Sequence, residues 1–510
     1  MPVSFAPSSD TDLRAGRFAP YSAPTQDERI GGLHFPSPFP FEIPLAARHS
    51  PRENIREAWL ATQQRSSATT VAAFAAVTTL FFAWGFITSL VDPLVAAVKG
   101  IFTLSNVEAQ LSASAFFIAY LVVSFPAAAL IARYRSVPSI LVALGMMIAG
   151  CLVMLVAANS AVYALVLLGL FILASGITVL QVAANPLAAA LGDPKYSHFR
   201  LTLSQTFNSF GTFLGPLIGA HLFLEGVEVQ EGTAITDAVR DEALAGIDSA
   251  YLWICGLIAA LAIFFFFARR VVTAASPEPI AAGQRQGVGA MIRDAMSSRW
   301  AMLGGLAIFL YVGAEVAIGT QMALFLNSGG VWGGSDAAFG VPFLGLAMGS
   351  DGVPGVSLQE AGKAVAFYWL GAMIGRAIGS VLLAALPAAR LLAAFTAIAG
   401  LMCLYVVFVG GVSAGFIALS IGLFNSIMFP VIFTLTLERS TASAEATSGF
   451  LCTAIVGGAV IPLLVGAVSD GVGYATAFLV PAACYFALTL FSIAASKAAV
   501  RQASAAEAFH

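Results

Sequence analysis

Residues 304–326, GGLAIFLYVGAEVAIGTQMALFL, form an apolar stretch whose only charged residue is Glu315. A transmembrane helix needs about 20 consecutive, mostly apolar residues, so this stretch is long enough to cross a bilayer. A second stretch, residues 80–98 (LFFAWGFITSLVDPLVAAV), contains one acidic residue, Asp92, followed by Pro93. Placing a carboxylate at the centre of a span costs about 2.5 kcal/mol or more. A chain that keeps two such groups is predicted to be a membrane protein that uses them on a polar pathway.

The composition of the whole chain agrees with a membrane location. Of its 510 residues, 59% are hydrophobic and 10% are charged, whereas soluble proteins carry about 25% charged residues. The net charge of −3 is too small to indicate a nucleic-acid partner. The five cysteines lie in apolar runs at no metal-ligand spacing, so we expect them to pack in the interior. The sequence contains no phosphate loop, nucleophile triad or metal cluster, and we predict neither a cofactor nor an enzymatic activity.

Twelve apolar stretches from Val71 onward are each long enough to span, which predicts an all-α membrane protein. We expect Pro186 to break the fourth span and Pro430 to break the tenth, because proline lacks a backbone donor. The predicted spans are 71–98, 109–132, 137–157, 162–191, 200–224, 250–270, 301–327, 361–386, 391–411, 413–437, 446–469 and 474–496.

The chain is predicted to divide at a basic linker into two halves of six spans. The first 66 residues hold nine of the 23 prolines and no long apolar run, so we expect disorder there, with a short amphipathic helix near residues 52–64. The predicted parts are a cytoplasmic tail (1–66), an N-terminal half (67–270), a linker (271–299), a C-terminal half (300–496) and a short C-terminal tail (497–510).

Charge predicts the orientation of the spans. Of the 24 lysines and arginines, all except Lys99, Arg240, Lys363 and the intramembrane Arg376 fall on one side of the predicted bilayer. Cytoplasmic loops carry the excess of Lys and Arg, so both termini are predicted to be cytoplasmic. The expected location is a cell membrane, of the bacterial inner-membrane type, with the protein as a multi-pass monomer in the lipid bilayer.

A weak internal repeat supports the two halves. A polar amide precedes a proline by five residues in spans 4 and 10, and a glycine does so in spans 5 and 11; the pairs are Gln181–Pro186, Asn425–Pro430, Gly211–Pro216 and Gly457–Pro462. Halves related by an axis along the membrane normal are typical of the major-facilitator architecture, whose site lies at the midplane between them.

Polar side chains line up inside several spans. Gln181 and Asn185 are four residues apart on span 4, and Gln205 and Asn208 are three apart on span 5, so each pair shares a helix face. Amides offer both donors and acceptors, as a neutral polyol needs. Such residues also bond helices to one another. Their clustering, together with Asn425 on span 10, favours a sugar-sized polar cavity.

Two aromatic side chains, Trp84 and Tyr311, could stack on a pyranose ring or simply pack in the bundle. Pro93 is expected to free the carbonyl of Ser89, so that this carbonyl and Asp92 could hold a proton or a small cation. The alternative places Asp92 at the outer end of its helix, facing the interface.

Glu315 and Arg376 are predicted to lie at similar depth on spans 7 and 8. A structural salt bridge is one interpretation. A switchable gate, or an acceptor for a sugar hydroxyl, is the other.

At these residues the chain resembles the fucose–galactose–glucose:proton symporter family of the major facilitator superfamily. The similar segments are FFAWGF (81–86), LQVAANP (180–186), HFRLTLSQTFNSFG (198–211), YVGAEVAIGT (311–320), IGRAIGS (374–380), GLFNSIMFP (422–430) and AIVGGAVIPLL (454–464). The resemblance implies uptake of a hexose with protons by alternating access.

The resemblance also implies roles for single residues. Asp92 matches the first acid of an acidic pair, and Gln181 stands at the place of the second. Glu315 stands where the fucose-transporting members have glutamine, as in the branch that resembles glucose/galactose transporters. Asn208 matches a sugar-contacting asparagine, with Gln205 as its neighbour. The implied substrates are glucose, galactose, mannose or an N-acetylhexosamine.

Other functions fit the same residues. Sodium could replace the proton as coupling ion, and an exporter or facilitator of small polar solutes would need a similar cavity. A sugar sensor that signals through its N-terminal tail is a third alternative, although the chain shows no folded soluble domain.

Overall fold

A computed structural model describes residues 51–89, 106–160, 162–224, 237–276, 287–350 and 352–500. Contacts divide the chain into Met1–Trp59 and Leu60–His510. Both six-helix halves with their predicted bounds, 67–270 and 300–496, belong to the second unit. Asp92 and Pro93, the acidic site predicted at the end of span 1, lie outside the described residues.

The N-terminal half consists of long helices, one for each predicted span. The segment predicted as a short amphipathic helix, residues 52–64, belongs to the helix of span 1. Spans 1 to 6 are Pro51–Ser89, Asn106–Tyr134, Ser136–Ser160, Tyr163–Ala190, Ser197–Leu224 and Asp237–Ala275, with a 3-10 turn at Pro194–Tyr196.

The C-terminal half follows a short linker helix, Val288–Ser297. Spans 7, 8 and 9 are single helices, whereas spans 10, 11 and 12 are each interrupted. Spans 7 to 9 are Arg299–Asn327, Leu358–Ala385 and Ala388–Phe408; span 10 is Gly411–Asn425 and Met428–Arg439; span 11 is Ala444–Thr453, Ala454–Val456 and Gly457–Val472; span 12 is Tyr474–Ala477 and Leu479–Lys497.

Among the described residues, 11 helices are long and apolar enough to cross a membrane. The remaining predicted span, Ser197–Leu224, is a helix of 28 residues. It carries His198 and Arg200 in its first turn and the amide stripe beyond them. The prediction of an all-helical, multi-pass membrane architecture is confirmed.

Span 4 does not break at Pro186, contrary to the sequence prediction, because another residue replaces the missing donor. Proline has no N–H, so the carbonyl of Val182, four residues earlier, loses its partner within the helix. The Ser448 hydroxyl of span 11 donates to that carbonyl at 2.9 Å. The helix therefore continues to Ala190.

Span 10 is interrupted before its proline. The helix ends at Asn425 and restarts at Met428, so Pro430 lies within the second helix. The carbonyl that Pro430 leaves without a helical donor is that of Ser426, and the Arg376 guanidinium of span 8 donates to it through Nε at 2.9 Å. The two repeated prolines are thus compensated by side chains from different spans.

The halves meet chiefly where span 2 packs on span 11 and span 5 on span 8, and span 4 also contacts span 11 while span 5 also contacts span 10. We call the end of the bundle that carries residues 271–299 the linker end, and the end that carries residues 328–357 the loop end. Gly449 of span 11 permits a close approach to span 2, because a Cβ there would lie 2.8 Å from that of Ala128.

The linker end is closed by contacts between the halves. His198, at the start of span 5, places Nε2 3.0 Å from Oε1 of Glu438 at the end of span 10, and its Nδ1 hydrogen-bonds Thr434 Oγ1. The linker helix adds Met291 and Ala295, which pack with Phe125 of span 2 and Ala446 of span 11.

At the loop end, residues 328–350 and 352–357 fold back onto the C-terminal half. Trp332 is fully buried, and its Nε1 donates to the carbonyl of Val412 at 2.9 Å. The ring lies against Gly415, which has no side chain to exclude it. Asn327, the last residue of span 7, donates through Nδ2 to the carbonyl of Val356 at 2.9 Å.

Candidate functional site

A polar cavity lies between the two halves, with a volume of about 180 Å³. This space holds several water molecules and is smaller than pockets for drug-sized ligands, which take about 300–1,000 Å³. It suits one small polar molecule. The N-terminal half contributes Trp84, Gly85, Thr88, Tyr120, Gln181, Gln205, Asn208 and Thr212; the C-terminal half contributes Tyr311, Val312, Glu315, Arg376, Phe429 and Ile455.

The amides of spans 4 and 5 lie at this cavity and behind it, in two layers. Gln181 lines the cavity and donates through Nε2 to the Tyr120 hydroxyl. Gln205 also lines it and donates to Asn185 Oδ1 at 3.3 Å. Asn185 is fully buried and is not among the lining residues. Its position behind Gln205 makes it a support for that side chain.

Asn208 both lines the cavity and connects two helices, the two roles that the sequence allows for an amide in a span. It lines the cavity, and its Nδ2 donates to the carbonyl of Phe81 on span 1 at 2.9 Å. Gly85 lies directly against the Asn208 backbone, so spans 1 and 5 touch there. Asn208 therefore bonds two helices and presents polar atoms to the cavity at once.

The two predicted aromatic residues form part of the wall. Trp84 is 3% exposed and its ring centroid lies 4.1 Å from that of Phe81. Tyr311 is 1% exposed, and its ring centroid lies 6.4 Å from that of Phe429. Both are held by packing, so each presents a fixed surface to a ligand.

The predicted pair of Glu315 and Arg376 is present at the cavity. Arg376 Nη2 lies 3.3 Å from Glu315 Oε1, and both side chains are 12% exposed. The guanidinium also donates through Nη1 to the Ser209 hydroxyl and through Nε to the carbonyl of Ser426. One side chain thus connects spans 5, 7, 8 and 10, and the bond to Ser209 crosses between the halves.

This arrangement makes a buried charge pair tolerable. Desolvation of two charges can exceed their attraction unless other hydrogen bonds satisfy the remaining donors. The Arg376 guanidinium donates to three acceptors: the Glu315 carboxylate and two neutral oxygens, the Ser209 hydroxyl and the Ser426 carbonyl. Because Glu315 borders the cavity, a ligand hydroxyl or a proton entering the cavity can reach its carboxylate.

Asn425, predicted as a ligand residue, lies behind the pair rather than at the cavity. It is fully buried and donates to the Tyr368 hydroxyl at 2.6 Å. Tyr368 in turn donates to the backbone carbonyl of Glu315 at 3.2 Å. Asn425 therefore helps to fix the backbone that carries Glu315.

Several lining or supporting residues are absent from the sequence predictions, among them Tyr120, Phe429, Ser209 and Thr88. Tyr120 carries a hydroxyl inside the apolar run FFIAYLVV (116–123), a signal that could have identified it. Phe429 and Ser209 offer no comparable signal, because an aromatic residue and a serine are common in spans. Thr88 Oγ1 borders the cavity and has no hydrogen-bond partner among the described residues. Within the same residues no cluster of side chains suits a metal ion.

Comparisons with known proteins agree with this architecture. The Major Facilitator Superfamily profile matches residues 71–444. The chain is 38% identical to a glucose/galactose transporter of Brucella abortus biovar 1 (strain 9-941), over 83% of this chain and 94% of that protein. It is 29% identical to the L-fucose-proton symporter of Escherichia coli (strain K12), over 82% of this chain and 92% of that one.

A solved structure also matches along the described fold. The crystal structure of FucP, a Major Facilitator Superfamily transporter in the outward conformation, superposes with a TM-score of 0.71 at 27% identity. The match covers 84% of this chain and 100% of that one.

Proposed function

Because the chain belongs to the Major Facilitator Superfamily, and within it to the fucose–galactose–glucose:proton symporter family, we propose that it takes up a hexose together with protons by alternating access. As a member of this family it is a sugar transporter and not an enzyme. One observation carries the finer proposal: the cavity between the halves combines uncharged amides on one side with Glu315 and Arg376 on the other.

The proposed substrate is glucose, galactose, mannose or an N-acetylhexosamine. The relative with 38% identity is a glucose/galactose transporter. Gln181, Gln205 and Asn208 supply donors and acceptors for ring hydroxyls, and the walls at Trp84 and Tyr311 supply apolar faces. The cavity volume of about 180 Å³ favours a monosaccharide over a longer sugar.

The proposed coupling ion is the proton, with Asp92 and Glu315 as carriers. A proton needs one group that can bind and release it, and Glu315 at the cavity is such a group. Sodium would need several oxygen ligands around one point. A relative with 29% identity is a symporter of L-fucose and protons.

Purified protein in liposomes would test the proposal. We expect radiolabelled glucose or galactose to accumulate when an inward proton gradient is imposed, and a panel of unlabelled hexoses to rank the substrates by competition. Accumulation that follows only a sodium gradient would reject proton coupling. Equilibration without accumulation would favour a facilitator, and binding without any uptake would favour a sensor.

Loss of an amide at the cavity should weaken sugar binding. Gln205→Ala and Asn208→Ala each leave a sugar hydroxyl unpaired, which costs about 1–3 kcal/mol, or roughly 5- to 150-fold in Kd. Calorimetric titration of the purified variants measures this. Thr206→Ala is the matched control, because Thr206 lies on the same helix and bonds its own backbone at Thr202. If Gln205→Ala and Asn208→Ala had the same Kd as the Thr206→Ala control and the unsubstituted protein, the ligand role would be contradicted. The amides would then serve only as helix–helix contacts.

The proposed topology places the linker end in the cytoplasm. The excess of Lys and Arg on that side supports it, and closure there by His198 and Glu438 corresponds to an outward-facing state. The tails 1–66 and 497–510 and the linker 271–299 would then be cytoplasmic, with the protein a monomer in the inner membrane. A C-terminal alkaline phosphatase fusion should be inactive; an active fusion would reverse the topology.

A further inference from the structure

We propose that Ser448 is a positioning residue for the conformational cycle, because it completes the hydrogen bonding of span 4 only while the linker end is closed. The proposal rests on the alternating-access function given above. It concerns the bond between the Ser448 hydroxyl and the carbonyl of Val182, which joins the C-terminal half to the N-terminal half.

The acceptor exists because of Pro186. In an uninterrupted helix the N–H of residue 186 would donate to the carbonyl of Val182, and proline has no N–H to give. The helix nevertheless continues through this point. A buried carbonyl without a donor is unfavourable, so span 4 depends on a donor from outside itself.

The donor sits in a dry contact between the halves. Ser448 and Val182 are both fully buried. The neighbouring Gly449 brings span 11 so close to span 2 that a Cβ at this position would lie 3.1 Å from the carbonyl oxygen of Ser124. Because Ser448 and Val182 are themselves without solvent exposure, their hydroxyl and carbonyl are shielded from water while this contact is closed.

The bond is also close to the cavity. Gln181, which lines the cavity, directly precedes Val182 in the chain. Span 11 enters the bundle at Ala444, so Ser448 lies one turn inside the linker end. Opening this end must pull Ser448 away from Val182, and the cavity then opens on the same side.

Pro430, the second proline of the repeat, differs from Pro186 because the donor to its freed carbonyl lies in the same half. The carbonyl freed by Pro430 is that of Ser426, and its donor Arg376 belongs to the same half. That bond can persist while the halves move relative to each other. Of these two carbonyls, the one of Val182 must exchange a protein donor for water when the linker end opens, so Ser448 favours the closed state.

The test measures the opening of the linker end directly. Spin labels are placed at Lys195→Cys and Ala444→Cys, two exposed positions on opposite halves, in a protein whose five native cysteines are replaced by alanine. Double electron–electron resonance in liposomes then gives the distance distribution. We expect Ser448→Ala to raise the ratio of open to closed molecules by roughly 5- to 150-fold, the equivalent of one unsatisfied buried acceptor.

Two variants separate this role from a general loss of stability. Ser469→Ala removes another serine of span 11, one that bonds its own helix at Gly466, and should leave the distribution unchanged. Pro186→Ala restores a donor within span 4, so Ser448→Ala should shift the ratio by less than about twofold in that background.

Identical distributions for the unsubstituted protein and Ser448→Ala would overturn the proposal, as would an equal shift with and without Pro186→Ala. Failure of the transport function is distinguishable, because the distances are measured without any sugar. A distribution that responds to Ser448→Ala in a protein that moves no hexose would reject the proposed function and retain the role of Ser448.

Discussion

Glu315→Gln is expected to abolish concentrative uptake while the protein still folds. Glutamine keeps the volume of the side chain and an oxygen that can accept from Arg376, but it cannot carry a proton. Arg376 then lacks a counter-charge, and breaking a buried pair typically costs about 3–5 kcal/mol. Because Ser209 and Ser426 still accept from the guanidinium, we expect a smaller loss of stability. Uptake and melting temperature are measured on the same preparations.

Two double variants decide whether uptake needs Glu315 as a proton carrier or only as the structural partner of Arg376. Combining Glu315→Gln with Arg376→Gln removes both charges, so the melting temperature should return while uptake stays lost. Combining it with Gln181→Glu places an acid across the same cavity, next to Tyr120, and should recover part of the uptake. If removing Arg376 restored uptake and the swap restored none, Glu315 would be a structural partner only.

Asp92→Asn is expected to abolish gradient-driven accumulation and to preserve some exchange of sugar. The amide matches the carboxyl group in size and hydrogen bonding, but cannot bind and release a proton. Accumulation under a proton gradient and counterflow without one are compared in the same liposomes. Leu90→Ala, two positions earlier in the sequence, is a control that leaves the acid in place. Full accumulation by Asp92→Asn at every pH would exclude Asp92 as a proton carrier.

The fold could be predicted because hydrophobicity and length suffice to define membrane spans. Asn425 and Tyr120 show where sequence reasoning stops. The position of an amide along a span gives its depth, but its direction depends on how the helix is rotated against its neighbours. The interruption after Asn425 and its bond to Tyr368 turn that amide away from the cavity.

Hydrogen bonds between residues far apart in the chain could not be predicted from the sequence either. Pro186 predicts a break only if no donor reaches the carbonyl of Val182, and Ser448 lies 266 positions away from it. The same holds for Ser209, whose partner Arg376 comes from the other half. The charge pair of Glu315 and Arg376 was predictable because two opposite charges at one depth in a membrane have few other partners.

The burial of Trp332 has a mechanical consequence. Its ring fastens the segment after span 7 to the turn that starts span 10, through Val412 and Gly415, while Asn327 holds the same segment from the other side. Spans 7 and 10 are therefore clamped together at the loop end, far from the contacts that separate at the linker end. With its outer end fixed to span 7, span 10 is expected to bend during transport at the interruption between Asn425 and Met428.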